Sequence, residues 1–190
     1  MSAATLIDTV IYKDSTESKA LLKELALVGG GVAMLGLLAQ VVIPLVPVPI
    51  TGQTLGVLVL GASYGSRRAL ITMIAYLLLG AAGLPLFAEA GSGTAVLFGA
   101  TGGYLIGMTA AAWLMGFFSE KKQDRKLTRV LAIFALGHTV IFACGLAWLA
   151  QLMSWEQAIA VGFTPFIPGM IIKTLIASGV MPTAWRIVGK

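Results

Sequence analysis

TPFIPGMIIKT, residues 164–174, places one lysine inside a segment that is otherwise apolar almost to its end. A charge at membrane depth is costly, and chains keep one there for a reason. Whether this segment lies in lipid decides the fold. The whole chain of 190 residues is 58% hydrophobic and 11% charged, with mean hydropathy +0.93. A typical soluble domain carries about 25% charged residues. So few charges do not cover a water-exposed surface, and the chain reads as an all-α integral membrane protein.

A helix needs about 20 apolar residues to cross the hydrocarbon core. Six segments are expected, at roughly 22–43, 52–64, 67–86, 94–118, 129–152 and 164–187. The second is short, bounded by Pro49 and the pair Arg67–Arg68, and reads as tilted, broken or partly inserted. The connections are too short for a soluble domain. The expected organisation is an N-terminal cytoplasmic segment, 1–19, and a single six-helix membrane domain, 20–190. Residues 1–19 are polar and mixed in charge, unlike a cleavable signal.

Lysine and arginine set the orientation. Lys13, Lys19 and Lys23 lie at or before the start of segment 1, and Arg67 and Arg68 lie between segments 2 and 3. Lys121, Lys122, Arg125, Lys126 and Arg129 lie between segments 4 and 5, and Arg186 and Lys190 end the chain. The connections 43–51, 87–93 and 153–163 have neither residue. The positive-inside rule then puts both termini in the cytoplasm, with Lys173 the one basic residue away from that side. The net charge of +5 is explained by this placement. No basic stripe interleaved with aromatics is present, which argues against nucleic acid as a partner. One cysteine, Cys144, excludes an intramolecular disulfide framework.

Segment 6 enters from the outer side, and Pro165 and Pro168 suit a helix start. Lys173 then lies about 7–8 Å deeper than Pro168, at 1.5 Å per residue. Two readings stand. The side chain snorkels to the interface, or it lines a cavity as a ligand for an anion. Three other stretches bear on the choice. VPVPITGQT, 46–54, has prolines that forbid regular helix, beside Thr51, Gln53 and Thr54. Irregular backbone at membrane depth needs protein or a wet cavity around it; the other reading is an ordinary outer turn. GLPLFAEAGSG, 83–93, and FGATGGYLIG, 98–107, offer Phe87 and Tyr104 as flat apolar surface, Glu89 as the one acid of the outer loop, and glycines. Gly102–Gly103 suits close helix packing equally well. ALVGGGVAMLG, 26–36, pairs Ala26 with Gly30 and Gly29 with Ala33, a groove for a helix of this chain or of a partner.

Enzymatic chemistry has no visible team, so no catalytic residues and no metal ligands are assigned. GxxxxGK[ST], HExxH and GxSxG are absent. His138, in segment 5, reads as a satisfied or cavity-facing residue rather than a metal ligand. Trp113, Trp148, Trp155 and Trp185 lie near segment ends, where interfacial anchoring is the ordinary role. A cation, an amide, hydroxyls, aromatic surface and glycine loops on the outer face suit a small ligand with an apolar body, a hydrogen-bonding head and an anionic tail.

VPVPITGQT, YLLLGAAGLPLF (76–87), ATGGYLIG (100–107) and PFIPGMIIK (165–173) resemble the signature stretches of the BioY family, the biotin-binding S components of energy-coupling-factor transporters. The resemblance covers roughly residues 25–185. It implies a six-helix bundle in the bacterial cytoplasmic membrane with a vitamin site near the outer face. It implies biotin as ligand, no cofactor, and partners in a transmembrane coupling protein and two ATPase subunits that alone use ATP. Lys173 and Gln53 carry over as polar ligands, with Tyr76, Phe87, Thr101 and Tyr104 as wall or hydrogen-bonding residues. Thr51 and Glu89 join them from the reading of the residues themselves. Ala26, Gly30 and Ala33 carry over as the face toward the coupling protein. Two positions depart from the family pattern: Met170 stands where an acid is usual, and Ala100 where proline is frequent. The alternatives are an S component for another vitamin, an intramembrane enzyme using Lys173 or His138 as base, and an assembly subunit without a ligand.

Overall fold

The computed structural model describes residues 5–11 and 20–188. Most of the expected N-terminal segment, with Lys13 and Lys19, and the terminal Lys190 lie outside the described residues. The helices are α1 (Leu6–Ile11), α2 (Ala20–Gln40), α3 (Gln53–Tyr64), α4 (Ser66–Ala81), α5 (Thr94–Phe98), α6 (Gly102–Ser119), α7 (Leu127–Leu149), α8 (Trp155–Gly162) and α9 (Ile167–Val188). Each of the six apolar segments contains one helix of 12 residues or more. Ala20–Gln40, Gly102–Ser119, Leu127–Leu149 and the run Trp155–Val188 are long and apolar enough to cross a membrane. The α3 helix has only 12 residues, as its bounding proline and arginines imply.

Several boundaries differ from the sequence expectation, each for a local reason. The first segment stops at Gln40 rather than 43, because Val42–Ile43 (β1) pairs antiparallel with Ile50–Thr51 (β2), closing the proline-rich turn. The third ends at Ala81 rather than 86. Gly83 follows at φ 110°, and only glycine adopts that backbone freely after a helix end. The fourth is not continuous. The chain breaks between α5 and α6, where Gly102 comes against the Leu97 carbonyl so closely that a Cβ has no room. The connection 153–163 holds α8, started by a reciprocal capping box between Ser154 and Gln157.

The α6 helix is central and packs on α7, α3 and α4. Small residues set these distances. A Cβ on Gly103 would stand 2.6 Å from the Cys144 carbonyl oxygen and would overlap the Trp148 side chain, so Gly103 serves helix packing. The tryptophans at segment ends are not all simple interfacial anchors. Trp148 Nε1 donates to Gly99 O at 3.0 Å, pinning the α5–α6 break. Trp185 is buried and its Nε1 donates to Asp124, whose carboxylate also accepts from Ser119 Oγ at 2.9 Å. Burial pushes the Asp124 carboxyl above the usual carboxylate range. At the same end of the bundle Arg68 joins Glu24 of α2 at 2.7 Å and Asp8 of α1 at 3.3 Å. Outward, Ile171, Ile172, Leu175, Ile176 and Val180 form an exposed apolar stripe along α9, the surface of a lipid-facing helix.

Candidate functional site

A cavity of about 200 Å³ opens at the end of the bundle opposite Arg68. Most of its walls come from places where regular helix stops or starts, and the middle of α7 closes the remaining side. The β2–α3 junction contributes Thr51, Gln53 and Thr54. The loop after α4 contributes Phe87, Ala88 and Glu89. The α5–α6 break supplies Thr101, Tyr104 and Met108; α7 supplies His138 and Phe142; the start of α9 supplies Phe166, Met170 and Lys173. Seven residues expected from sequence therefore meet at one cavity: Thr51, Gln53, Phe87, Glu89, Thr101, Tyr104 and Lys173.

Their roles differ in detail. Lys173 does not snorkel. Its ammonium turns inward, donating to Thr51 O and to Thr54 Oγ1 at 3.0 Å. Thr51 Oγ1 donates to Gln53 Oε1 at 2.9 Å, and Gln53 Nε2 donates to the Tyr76 hydroxyl at 2.6 Å. Tyr76 passes its own hydrogen to Leu86 O at 2.8 Å. Tyr76 is 1% exposed and is not part of the cavity wall, which corrects its expected place among the ligand-contacting residues. Both of its hydroxyl bonds are spent inside the protein, where it fixes Gln53 from behind. Tyr104 offers its ring but not its hydroxyl, which donates to Gly162 O at 2.8 Å. That ring stacks on Phe166 with centroids 6.3 Å apart and meets Phe142 edge-on at 6.0 Å, making an aromatic wall. The Thr101 hydroxyl turns to Val96 O at 3.3 Å, so its methyl group is left for apolar contact.

Glu89 stands exposed at the rim, and among the described residues no ion pair joins it to Lys173. The loop that carries it is held in uncommon backbone, with Glu89 at φ 57° and Ala90 at φ 55°. Gln40, at the end of α2, is the residue that sequence reasoning missed here. Its Nε2 donates to Phe87 O at 3.0 Å and its Oε1 accepts from the Ala90 amide at 2.8 Å. A lone amide closing an apolar run was the available signal. Replacing Gln40 with Leu speeds hydrogen exchange of the Ala90 amide about fivefold, the equivalent of roughly 1 kcal/mol for one hydrogen bond. Mass spectrometry of a peptide spanning 86–92 reads this, and unchanged exchange refutes the clamp.

On the far side of α2 a row of small residues is uncovered. Ala26, Gly30 and Ala33 are exposed, and no atom lies within 4 Å of where a Cβ on Gly29 or Gly30 would stand. Among the described residues, none packs into this groove at Gly29 or Gly30. Among the described residues, no three His, Cys, Asp or Glu side chains are grouped to hold a metal ion.

The BioY family model matches residues 12–190. The chain belongs to the BioY family. Among BioY proteins, the probable biotin transporter of Rickettsia prowazekii is 33% identical over 140 residues, covering 74% of this chain and 72% of that protein. The biotin transporter BioY of Rhizobium etli is 34% identical over 162 residues, covering 80% and 86%. BioY2 of Lactococcus lactis is 33% identical over 159 residues, covering 83% and 87%. The fold is also that of a crystallised S component for biotin from an ECF-type ABC transporter, with TM-score 0.78, 24% identity and coverage of 91% of this chain and 95% of that one. The four motif stretches all contribute to the cavity or to the network behind it.

Proposed function

We propose that this BioY chain binds biotin at the cavity and delivers it across the bacterial cytoplasmic membrane as the substrate-specific component of an ECF-type transporter. The observation that carries the reading is the inward-turned Lys173 ammonium beside Gln53 in an aromatic-walled cavity. Biotin has matching parts. Its carboxylate pairs with a cation, its ureido group exchanges hydrogen bonds with an amide, and its fused rings fill an apolar space.

In this reading six helices, α2, α3, α4, α6, α7 and α9, span the bilayer. Both termini are cytoplasmic, because the basic residues of the connections gather at the Arg68 end. The cavity then faces outward, with Thr51, Gln53, Phe87, Glu89, Thr101, Tyr104 and Lys173 around the ligand. Tyr76 supports them from the second layer. The protein needs no cofactor of its own. Energy comes from two ATPase subunits through a transmembrane coupling protein, which docks on Ala26, Gly30 and Ala33. The uncovered state of that groove supports the docking face.

Calorimetric titration of the purified protein in detergent tests the reading. Biotin binds saturably at one site, and riboflavin and thiamine give no heat. A protein that mass spectrometry finds free of biotin, and that then gives no heat with biotin, overturns it. Binding of a different vitamin instead would assign the Met170 wall to that ligand.

A further inference from the structure

His138 is 1% exposed, yet it lines the cavity. Its two ring nitrogens are treated differently. Nδ1 lies 3.2 Å from the Phe134 carbonyl oxygen and 3.0 Å from Thr174 Oγ1. A carbonyl oxygen only accepts, so the ring hydrogen sits on Nδ1, shared between these two oxygens. Nε2 is then a bare acceptor. It is buried and, among the described residues, has no hydrogen-bond partner. A buried polar atom left unpaired costs about 1–3 kcal/mol, so it calls for an explanation.

We propose that His138 Nε2 is a recognition atom of the cavity, accepting a hydrogen bond from an N–H of the ligand's cyclic urea. The inference rests on the biotin reading above and deepens it. The other polar groups of the wall suit different parts of the ligand. Lys173 only donates, and the Gln53 amide, held once at each end by Thr51 and by Tyr76, keeps one acceptor and one donor position for the ligand. The hydroxyls of Tyr104 and Thr101 are turned to backbone carbonyls. A urea has two N–H groups to place, and among the buried side-chain acceptors of the wall in the described residues His138 Nε2 alone lacks a protein partner. Thr174 is the positioning residue. It follows Lys173 on α9 and helps hold the hydrogen on Nδ1, so the cation and the acceptor are set by adjacent residues of one helix.

The test compares biotin with two analogues, each methylated on one ureido nitrogen, using the full-length protein in detergent. The parent protein is expected to reject at least one analogue. His138→Phe is expected to weaken biotin about tenfold, within the range for leaving one buried donor unpaired, and to narrow the gap between biotin and that analogue. Thr174→Val is expected to weaken biotin in the same direction by a smaller factor, about threefold for a loosened neutral hydrogen bond; it stands in if the Phe variant does not fold, judged by gel filtration. Equal biotin affinity in parent and variant overturns the inference, as does a loss that is the same for biotin and both analogues. A parent that binds no biotin overturns the biotin reading and this inference with it. A parent that binds biotin beside an unaffected variant overturns this inference alone.

Discussion

Replacing Lys173 with Met lowers biotin affinity by about a hundredfold or more, the scale expected when one partner of a buried charge pair is removed. Two losses combine. The ligand carboxylate enters a cavity that no longer offers a cation. Thr51 O and Thr54 Oγ1, which the ammonium serves in the empty protein, lose a donor. The second loss falls on the folded protein, so the variant also melts at a lower temperature in detergent. Calorimetry separates the two effects, because a folded variant with parental biotin affinity removes Lys173 from the site. Lys173→Arg is a sharper control. It keeps the charge but presents a planar fork rather than a compact ammonium, and the short reach to Thr51 and Thr54 suits the latter.

Gly103→Val has the largest expected effect on the fold. The new side chain meets the Cys144 carbonyl oxygen, part of the α7 backbone, and the Trp148 side chain. Trp148 cannot simply rotate aside, since its indole is tied to Gly99 O at 3.0 Å. Overpacking a tight interface costs about 1–3 kcal/mol and more where backbone blocks relaxation. A chain of this length would lose about 6–12 °C in melting temperature for about 3 kcal/mol. Gly30→Val is the matched control, because its Cβ meets nothing within 4 Å. It leaves the melting temperature of the isolated protein close to that of the parent, and in the proposed assembly it weakens docking of the coupling protein. A Gly103→Val protein that folds and melts like the parent refutes the close α6–α7 contact.

Hydropathy made the apolar helices legible, because lipid demands long apolar runs and little else interrupts them. It was blind to the α5–α6 break. Gly99, Ala100 and Thr101 are small and only mildly polar, so the turn does not register in a hydrophobic average. The α8 helix was missed for the opposite reason. Ser154 and Gln157 carry its capping box, but a stretch without lysine or arginine between two longer apolar runs reads as a connection between spans. The cavity residues were legible because a charge, an amide and prolines at membrane depth each need a compensating partner. The directions of their hydroxyls were not. Whether Tyr76 faces a ligand or Leu86 O depends on a loop ten residues away in sequence, and no local pattern encodes that choice. His138 Nδ1 likewise meets Thr174 Oγ1, on another helix, at 3.0 Å, a partner that no local pattern names.

The inward set of Lys173 has a consequence for the protein between cargoes. An ammonium that rests on Thr51 O and Thr54 Oγ1 is already a partnered charge rather than a naked one. Capture of a carboxylate is then an exchange of partners. The net gain is the difference between two sets of contacts.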